Sequence, residues 1–505
     1  MSGTAKWLAL IVAGSVALAL FRVSLVPILQ CPDEDSHFDY AVSIYSNGGL
    51  LRASQPPRSG WNTHFQALAY DWERISHLWT LHLSAATNRY PIQLMESNKV
   101  APDYGSLGFF ARIDQTAPTA PVDPKGLTTK DNPWLVGGYP FGYYALLAVV
   151  TFLVQSFSAG GLVETFFALR TVSVILLAGS IPLFYLLSRE MRIGERWAVG
   201  ATAVFAFHPL TTYVSACIQP DNLSLFLSLL AWYFGARSLR TTGPMILIAL
   251  ALSLGALAVT KIHFFICVAA PVLAMLLVRR RVSIAAAALI MVPAAVLYGV
   301  ERWVSWGKFY VLGSHVPRSD NFLFDGLAAV KDYWFGGGAF LSYWSTTYAW
   351  RHMPLAIEAA LYVGTAIAFF AVITFLVRSA IRLTRVARSR PRLALTLALQ
   401  NAPVVGYVLF TLVMIGLYAY TANGFYAQGR HFYPFMPIGL LLAIFYAPRL
   451  AGMHYRLAIS RTLTALLLVF CLFSAFHLTW YTSLRYYPFQ PGKLPEPFNT
   501  IRGFM

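Results

Sequence analysis

Apolar runs long enough to cross a bilayer recur along almost the whole chain. They fall near 7–28, 164–187, 197–218, 222–238, 244–260, 263–278, 282–300, 355–377, 397–420, 432–448 and 459–480. A helix rises 1.5 Å per residue, so about 20 apolar residues match a hydrocarbon core of roughly 30 Å. With 57% hydrophobic and 12% charged residues in 505, a water-soluble fold could not hide this much apolar surface. The pattern predicts an all-α polytopic membrane protein. The N-terminal run resembles a signal peptide with Lys6 ahead of it, but it lacks a small-residue cleavage site and further spans follow, so it is read as an uncleaved first span.

The formal net charge of +17 would suggest nucleic acid if it lay on one soluble face. Here most arginines stand in short loops between apolar runs, where they set orientation, and no nucleic-acid partner is expected. One segment, Tyr139 to Phe157, decides the topology. If it spans, Arg189, Arg192, Arg196, the triplet Arg279 to Arg281 and the six arginines of 378–392 fall outside. If it lies at the interface, all fall in the cytoplasm with Arg237, Arg240, Arg449, Arg456 and Arg461. The second solution gives about 11 transmembrane helices, with the N-terminus in the cytoplasm and the C-terminus outside. The division is a first span over 1–30, an outer loop with interfacial helices and an acidic motif over 31–160, spans 2–7 over 161–300, a second outer interfacial stretch over 301–354, spans 8–11 over 355–480 and an outer tail over 481–505.

On this topology every short polar motif reaches the outer face. The first, Cys31 to Tyr40, carries Asp33, Glu34, Asp35, Asp39 and His37 directly after the first span. Its opening Pro32 and closing Asn47-Gly48-Gly49 predict a short capped helix, amphipathic through Phe38, Val42 and Tyr45 and lying on the membrane. Crowded carboxylates near a low-dielectric surface raise one another's pKa, which suits a general base. Acids at a helix start also cap it and complement its dipole, which accounts for one or two of them. Asp221, in Gln219-Pro220-Asp221-Asn222, reads both as an N-cap and as a second carboxylate of a site. Lys261, His263 and Arg430 form a cationic pole. Charges at span ends commonly meet lipid phosphate, yet outer-face positives run against the rule that fixed the orientation. Arginine offers a planar fork for a phosphate and lysine a point charge.

The four cysteines, at 31, 217, 267 and 471, have no metal-type spacing. Cys267 and Cys471 fall inside spans. Cys31 and Cys217 each precede an acidic motif, so a bridge between them requires only that the motifs meet. His208-Pro209 is a polar break deep in a span, expected to kink it.

These motifs resemble the GT-C superfamily of polyprenyl-phosphate-sugar glycosyltransferases, and within it a bacterial branch with P-D-E-P-x-H and Q-G-R-Y/H-x-x-P motifs. Here they read Pro32-Asp33-Glu34-Asp35-Ser36-His37 and Gln428-Gly429-Arg430-His431-Phe432-Tyr433-Pro434. Tyr139 to Tyr144 resembles the stretch before the second span, Glu164 to Arg170 the charged start of that span, Gln219-Pro220-Asp221 a P-D motif and Thr260-Lys261 a T-K motif. Asp35 departs from the proline of the branch, and Tyr139 from the histidine of H-P-P. The resemblance covers about 7–280 and 400–440. It implies a GT-C-like fold and inverting transfer of a sugar from a polyprenyl-phosphate donor to a glycan or glycolipid acceptor at the outer face of a bacterial plasma membrane, within membrane lipid. Asp33, Glu34, His37 and Asp221 would be catalytic. Arg430, Lys261, His263 and Tyr433 would bind the donor phosphate, and Asp35, Tyr143 and Gln428 would position acceptor or sugar. Clustered carboxylates suit a hard cation, but the resemblance implies no cofactor. A glycolipid flippase is the alternative; it would share the anion-binding residues but place ionisable groups near the bilayer midplane.

Overall fold

A computed structural model of the chain describes residues 3–26, 31, 34–46, 140–157, 162–306 apart from 242, most of 374–394, 402–421, 433–444 apart from 443, and 453–486. Among these residues the protein is helical, with no strand. The helices are α1 (Gly3–Leu25), α2 (Glu34–Ser46), α3 (Gly142–Phe157), α4 (Leu162–Glu190), α5 (Glu195–Phe207), α6 (Pro209–Val214), α7 (Pro220–Ser238), α8 (Pro244–Ala258), α9 (Ile262–Val278), α10 (Ile284–Trp306), α11 (Ala402–Thr421), α12 (Met436–Leu441) and α13 (Met453–Tyr486). Among the described residues, three stretches are long and apolar enough to cross a membrane: Gly3–Ser24, Thr165–Glu190 and Ile284–Trp303. Shorter apolar helices pack among them.

Helix α1 and the broken helix α5–α6 run parallel in a fixed register. Thr4 donates to Glu195, the Ser15 hydroxyl donates to Ala206 O at 2.7 Å, and Arg22 donates to Thr212. The three pairs are offset by 191, 191 and 190 residues, so the elements stay in step over their length. The break at His208-Pro209 follows from proline's missing N–H. His208 Nδ1 accepts the Leu210 N–H at 3.2 Å, and the buried Arg22 guanidinium donates to Pro209 O at 3.2 Å. Helix α4 returns antiparallel beside α1 and α5, and α7 packs centrally against α4, α8 and α9.

The bundle therefore has two distinct ends. At one, Arg237 and Arg240 pair with Glu190 at 2.9 and 3.1 Å, next to the corners bearing Arg189, Arg192, Arg196 and Arg279 to Arg281. At the other lie Cys31, Glu34, Arg170, Asp221 and Lys261. Helix α3 keeps to this second end. Its Gly142 N–H donates to Val259 O at 2.7 Å, where α8 finishes, and Gln155 near its far end donates to Thr165 in the first turn of α4 at 2.9 Å. It thus forms a hairpin with the head of α4 and does not cross the bundle. Helix α4 has 29 residues, about 43 Å. The part beyond Arg170 supplies roughly 12 Å of that length and carries the hairpin past the ends of α1 and α7.

Two expectations change. Helix α2 does not lie on a membrane by a single apolar face: Phe38, Tyr40, Ala41, Val42 and Ile44 are all buried. They share a core with Tyr143, Tyr144, Leu147, Phe166 and Leu169 of the hairpin, which encloses the helix on more than one side. Helix α10 continues to Trp306, past the boundary expected at 300, and carries a buried Glu301–Arg302 pair at 2.8 Å. The part of the expected first outer loop over 47–139, the second outer stretch beyond 306 and most of the eighth span lie outside the described residues.

Small residues let the central helices approach closely. A Cβ on Gly406 of α11 would stand 2.7 Å from Cys267 O and 2.5 Å from the Trp232 ring. Gly406→Val is expected to destabilise the protein by about 1–3 kcal/mol through overpacking, read as a lowered unfolding midpoint in detergent. An unchanged midpoint would show that α11 does not sit against α7 and α9 as described.

Candidate functional site

At the second end, Cys31 and Cys217 are joined by a disulfide with Cα atoms 5.9 Å apart, so the two motifs do meet. The bridge ties the chain after α1 to the corner between α6 and α7. Beside it lies a fully buried ion pair. Arg170 donates from Nε and Nη2 to the two Glu34 oxygens at 2.8 and 2.6 Å, both side chains at 0% exposure. Glu34 Oε1 also accepts the Ile218 N–H at 3.0 Å. Arg170 Nη1 donates to Val23 O at 3.1 Å and to Val26 O at 2.5 Å. A buried charge pair is tolerated when its remaining donors and acceptors are met, as they are here. One interaction thus fastens the end of α1, the start of α2, the upper part of α4 and the turn before α7.

Glu34, expected among the catalytic acids, is thus enclosed by a guanidinium and an amide at the start of α2. His37 lies one turn further on, with Nδ1 at 2.8 Å from the Tyr144 hydroxyl of α3. The Tyr40 ring packs tilted against that of Tyr144, with centroids 4.4 Å apart. The Tyr40 phenol is held above its ordinary pKa, first by burial and then by the Glu301 carboxylate, which places the end of α10 in the field of α2. Tyr143, expected to position acceptor or sugar, lies inside the core at this end. Its ring is fully buried and its hydroxyl lies 3.3 Å from Ser173, whose own hydroxyl donates to Cys217 O at 2.7 Å.

The second ion pair is the more open one. Lys261 Nζ stands 2.6 Å from Asp221 Oδ1, with side chains 12% and 4% exposed. Asp221 is in the first turn of α7, after Pro220, where an anion is favoured by the helix dipole. Asn222 beside it donates to Val214 O at 2.9 Å and Cys217 O at 3.3 Å, closing the α6–α7 corner. Lys261 occupies the extended residue between α8 and α9, its ammonium 5.5 Å from the Phe264 ring. The His263 ring packs on Phe264 at 4.2 Å, and Phe435 meets both Phe410 at 4.5 Å and Phe264 at 5.9 Å. The turn of 433–435 is thereby brought to the lysine corner. The Tyr433 hydroxyl there is buried, has no hydrogen-bond partner among the described residues, and lies within electrostatic reach of Asp221.

The structure therefore joins Glu34, His37, Tyr143, Asp221, Lys261, His263 and Tyr433 at one end of the bundle. Asp33, Gln428, Arg430 and the Asp35 side chain lie outside the described residues. Arg170, Tyr144, Ser173 and the Glu301–Arg302 pair were not singled out as functional groups from sequence. A lone arginine inside a long apolar helix is the signal that marks Arg170 and Arg22, since such groups occur where a partner awaits them. No known family model matches the chain, and no curated protein is significantly similar to it.

Two outcomes test this site. Alkylating the denatured protein without reductant should modify only Cys267 and Cys471, and with reductant all four cysteines. Removing one partner of the buried pair, in Arg170→Met, should lower stability by about 3–5 kcal/mol. If Arg170→Met unfolds like the wild type, the pair does not fasten the site.

Proposed function

We propose that this is an integral-membrane glycosyltransferase of GT-C type, with about 11 transmembrane helices. It moves a sugar from a polyprenyl-phosphate donor to an acceptor hydroxyl at the outer face of a plasma membrane. The observation that carries this reading is the partly open Lys261–Asp221 pair. It sits at the end of an apolar bundle where a fixed acidic motif begins and the turn following the Gln428-Gly429-Arg430 motif arrives. A cation at such a place suits a lipid phosphate whose chain lies between helices and whose sugar reaches the interface.

Orientation has support from two unrelated arguments. Exposed arginines gather at one end, which the positive-inside rule assigns to the cytoplasm. The Cys31–Cys217 disulfide lies at the opposite end, and disulfides persist in oxidising compartments. Both support a reading with the acidic motif outside.

In this reading Asp33, the neighbour of the enclosed Glu34, takes the proton from the acceptor hydroxyl as that oxygen attacks the anomeric carbon. The bond from the anomeric carbon to the phosphate oxygen breaks with inversion, and its electron pair leaves with the polyprenyl phosphate. Lys261 and Arg430 stabilise the departing phosphate. His37, held by Tyr144, orients the base or the acceptor. Glu34 and Arg170 keep the acidic motif in place.

The test is transfer of label from radiolabelled polyprenyl-phosphate sugars in membranes. Asp33→Asn and Arg430→Ala are expected to lower transfer by about a hundredfold or more while leaving the amount of folded protein unchanged. Full transfer in both variants would remove these role assignments. No transfer by the wild type, together with movement of the donor between leaflets, would identify a flippase instead.

A further inference from the structure

We propose that Asp221 is a latch on Lys261. It holds the ammonium while the lipid phosphate is a diester, and yields it as that phosphate becomes a monoester. The inference rests on the glycosyltransferase reading above, and it identifies the product-like phosphate monoester as the ligand class that Lys261 favours.

Three observations carry it. First, Lys261 is already engaged, with Nζ 2.6 Å from Asp221, yet remains the more exposed member of the pair. An incoming phosphate must therefore compete with a carboxylate for the same cation. Second, the corner that bears Lys261 is fixed while its side chain is not encased. The corner backbone is extended, the Gly142 N–H donates to Val259 O two residues before it, and the ammonium lies 5.5 Å from the Phe264 ring centre. Third, Asp221 does not depend on Lys261 alone. It lies in the first turn of a 19-residue helix, where its charge is stabilised by the helix terminus.

The charges then decide which partner holds the lysine. A polyprenyl-phosphate sugar is a phosphodiester with one negative charge, the same as Asp221. When the sugar leaves, the electron pair of the broken bond stays on the phosphate oxygen. The resulting monoester carries a charge of about −1.5 to −2 near neutral pH. A cation shared between the carboxylate and the phosphate moves toward the phosphate as that charge grows. The lysine contact is thus weak in the ground state and strong as the bond breaks, which is the condition for an interaction to accelerate the chemical step. The acceptor oxygen forms the new bond and its proton goes to Asp33, so the step balances. Asp221 touches no reacting atom and is a positioning residue.

Calorimetric titration of the full-length protein in detergent reads this without any transfer reaction. The probes are farnesyl phosphate, a monoester, and methyl farnesyl phosphate, a diester, at about pH 8, where the monoester is a dianion. The wild type is expected to prefer the monoester by about tenfold, the scale of one charge-assisted contact. In Asp221→Asn the diester should bind about tenfold tighter and the monoester within about twofold of the wild type, so the preference collapses. A purely structural Asp221 would weaken both esters together, and that result overturns the latch. Lack of any ester preference in the wild type overturns it as well, whatever the variant's fold. If neither ester binds the wild type, the phosphate reading of the site falls, and the latch with it.

Discussion

The buried contact between Glu34 and Arg170 is the constraint on which the rest of this end of the molecule depends. Two charges at 0% exposure are stable only if their geometry is good and every remaining polar atom finds a partner. The bidentate contact meets the first condition. The Ile218 amide and the carbonyls of Val23 and Val26 supply the contacts that meet the second. Because these partners come from α1, α4 and the α6–α7 corner, the pair forms only when those elements are docked. The Cys31–Cys217 bridge fastens the same place covalently, 186 residues apart in sequence. The acidic motif is therefore held on rigid elements, although it follows a span and opens a long loop.

Rigidity at this end contrasts with the way the bundle is aligned elsewhere. Along α1 and α5–α6 the register is kept by single polar contacts at three levels, Thr4, Ser15 and Arg22, within otherwise apolar packing. Arg22 also meets the carbonyl of Pro209 at the helix break. In an apolar setting each such group must find its partner, so a few polar side chains set the register that apolar contacts alone leave degenerate. The His208-Pro209 break then turns α6 so that Cys217 and Ile218 arrive where Cys31 and Glu34 can meet them.

Much of this was legible in the sequence as residue type and order. Apolar runs marked most of the described helices, the arginine loops marked one end, and the acidic, P-D and T-K motifs marked the other. What sequence could not supply was the choice of partner. Glu34 and Asp33 are chemically similar neighbours, and only the position of Arg170, 136 residues away, distinguishes Glu34 as the enclosed one. Helix α2 was misjudged for a related reason. Its apolar residues read as one stripe through Phe38, Val42 and Tyr45, but Tyr40 and Ile44 on another side are buried by a hairpin that the sequence placed at the interface. Lys261 and Asp221 were both singled out, yet assigned to opposite poles. Their contact depends on the α8–α9 corner folding back against the head of α7.

The Glu34–Arg170 and Lys261–Asp221 pairs lie at one end and differ so much in enclosure that they imply a division of labour. A pair in which both members are fully buried and doubly bonded cannot exchange partners without exposing an uncompensated charge, so it can serve only as a fixed support. A pair with one contact and one partly exposed member is the one better able to exchange, and its anion stands at a helix start, where the dipole favours it. A site that handles a changing phosphate needs both kinds. The fixed pair sets the geometry in which charge develops, and preorganised geometry is what makes an electrostatic contact effective in a low-dielectric setting. The exchangeable pair supplies the charge that follows the reaction. Interchanging the two would lose both functions, since a lysine locked as Arg170 is could not move, and an acidic motif held as loosely as Lys261 would not be preorganised.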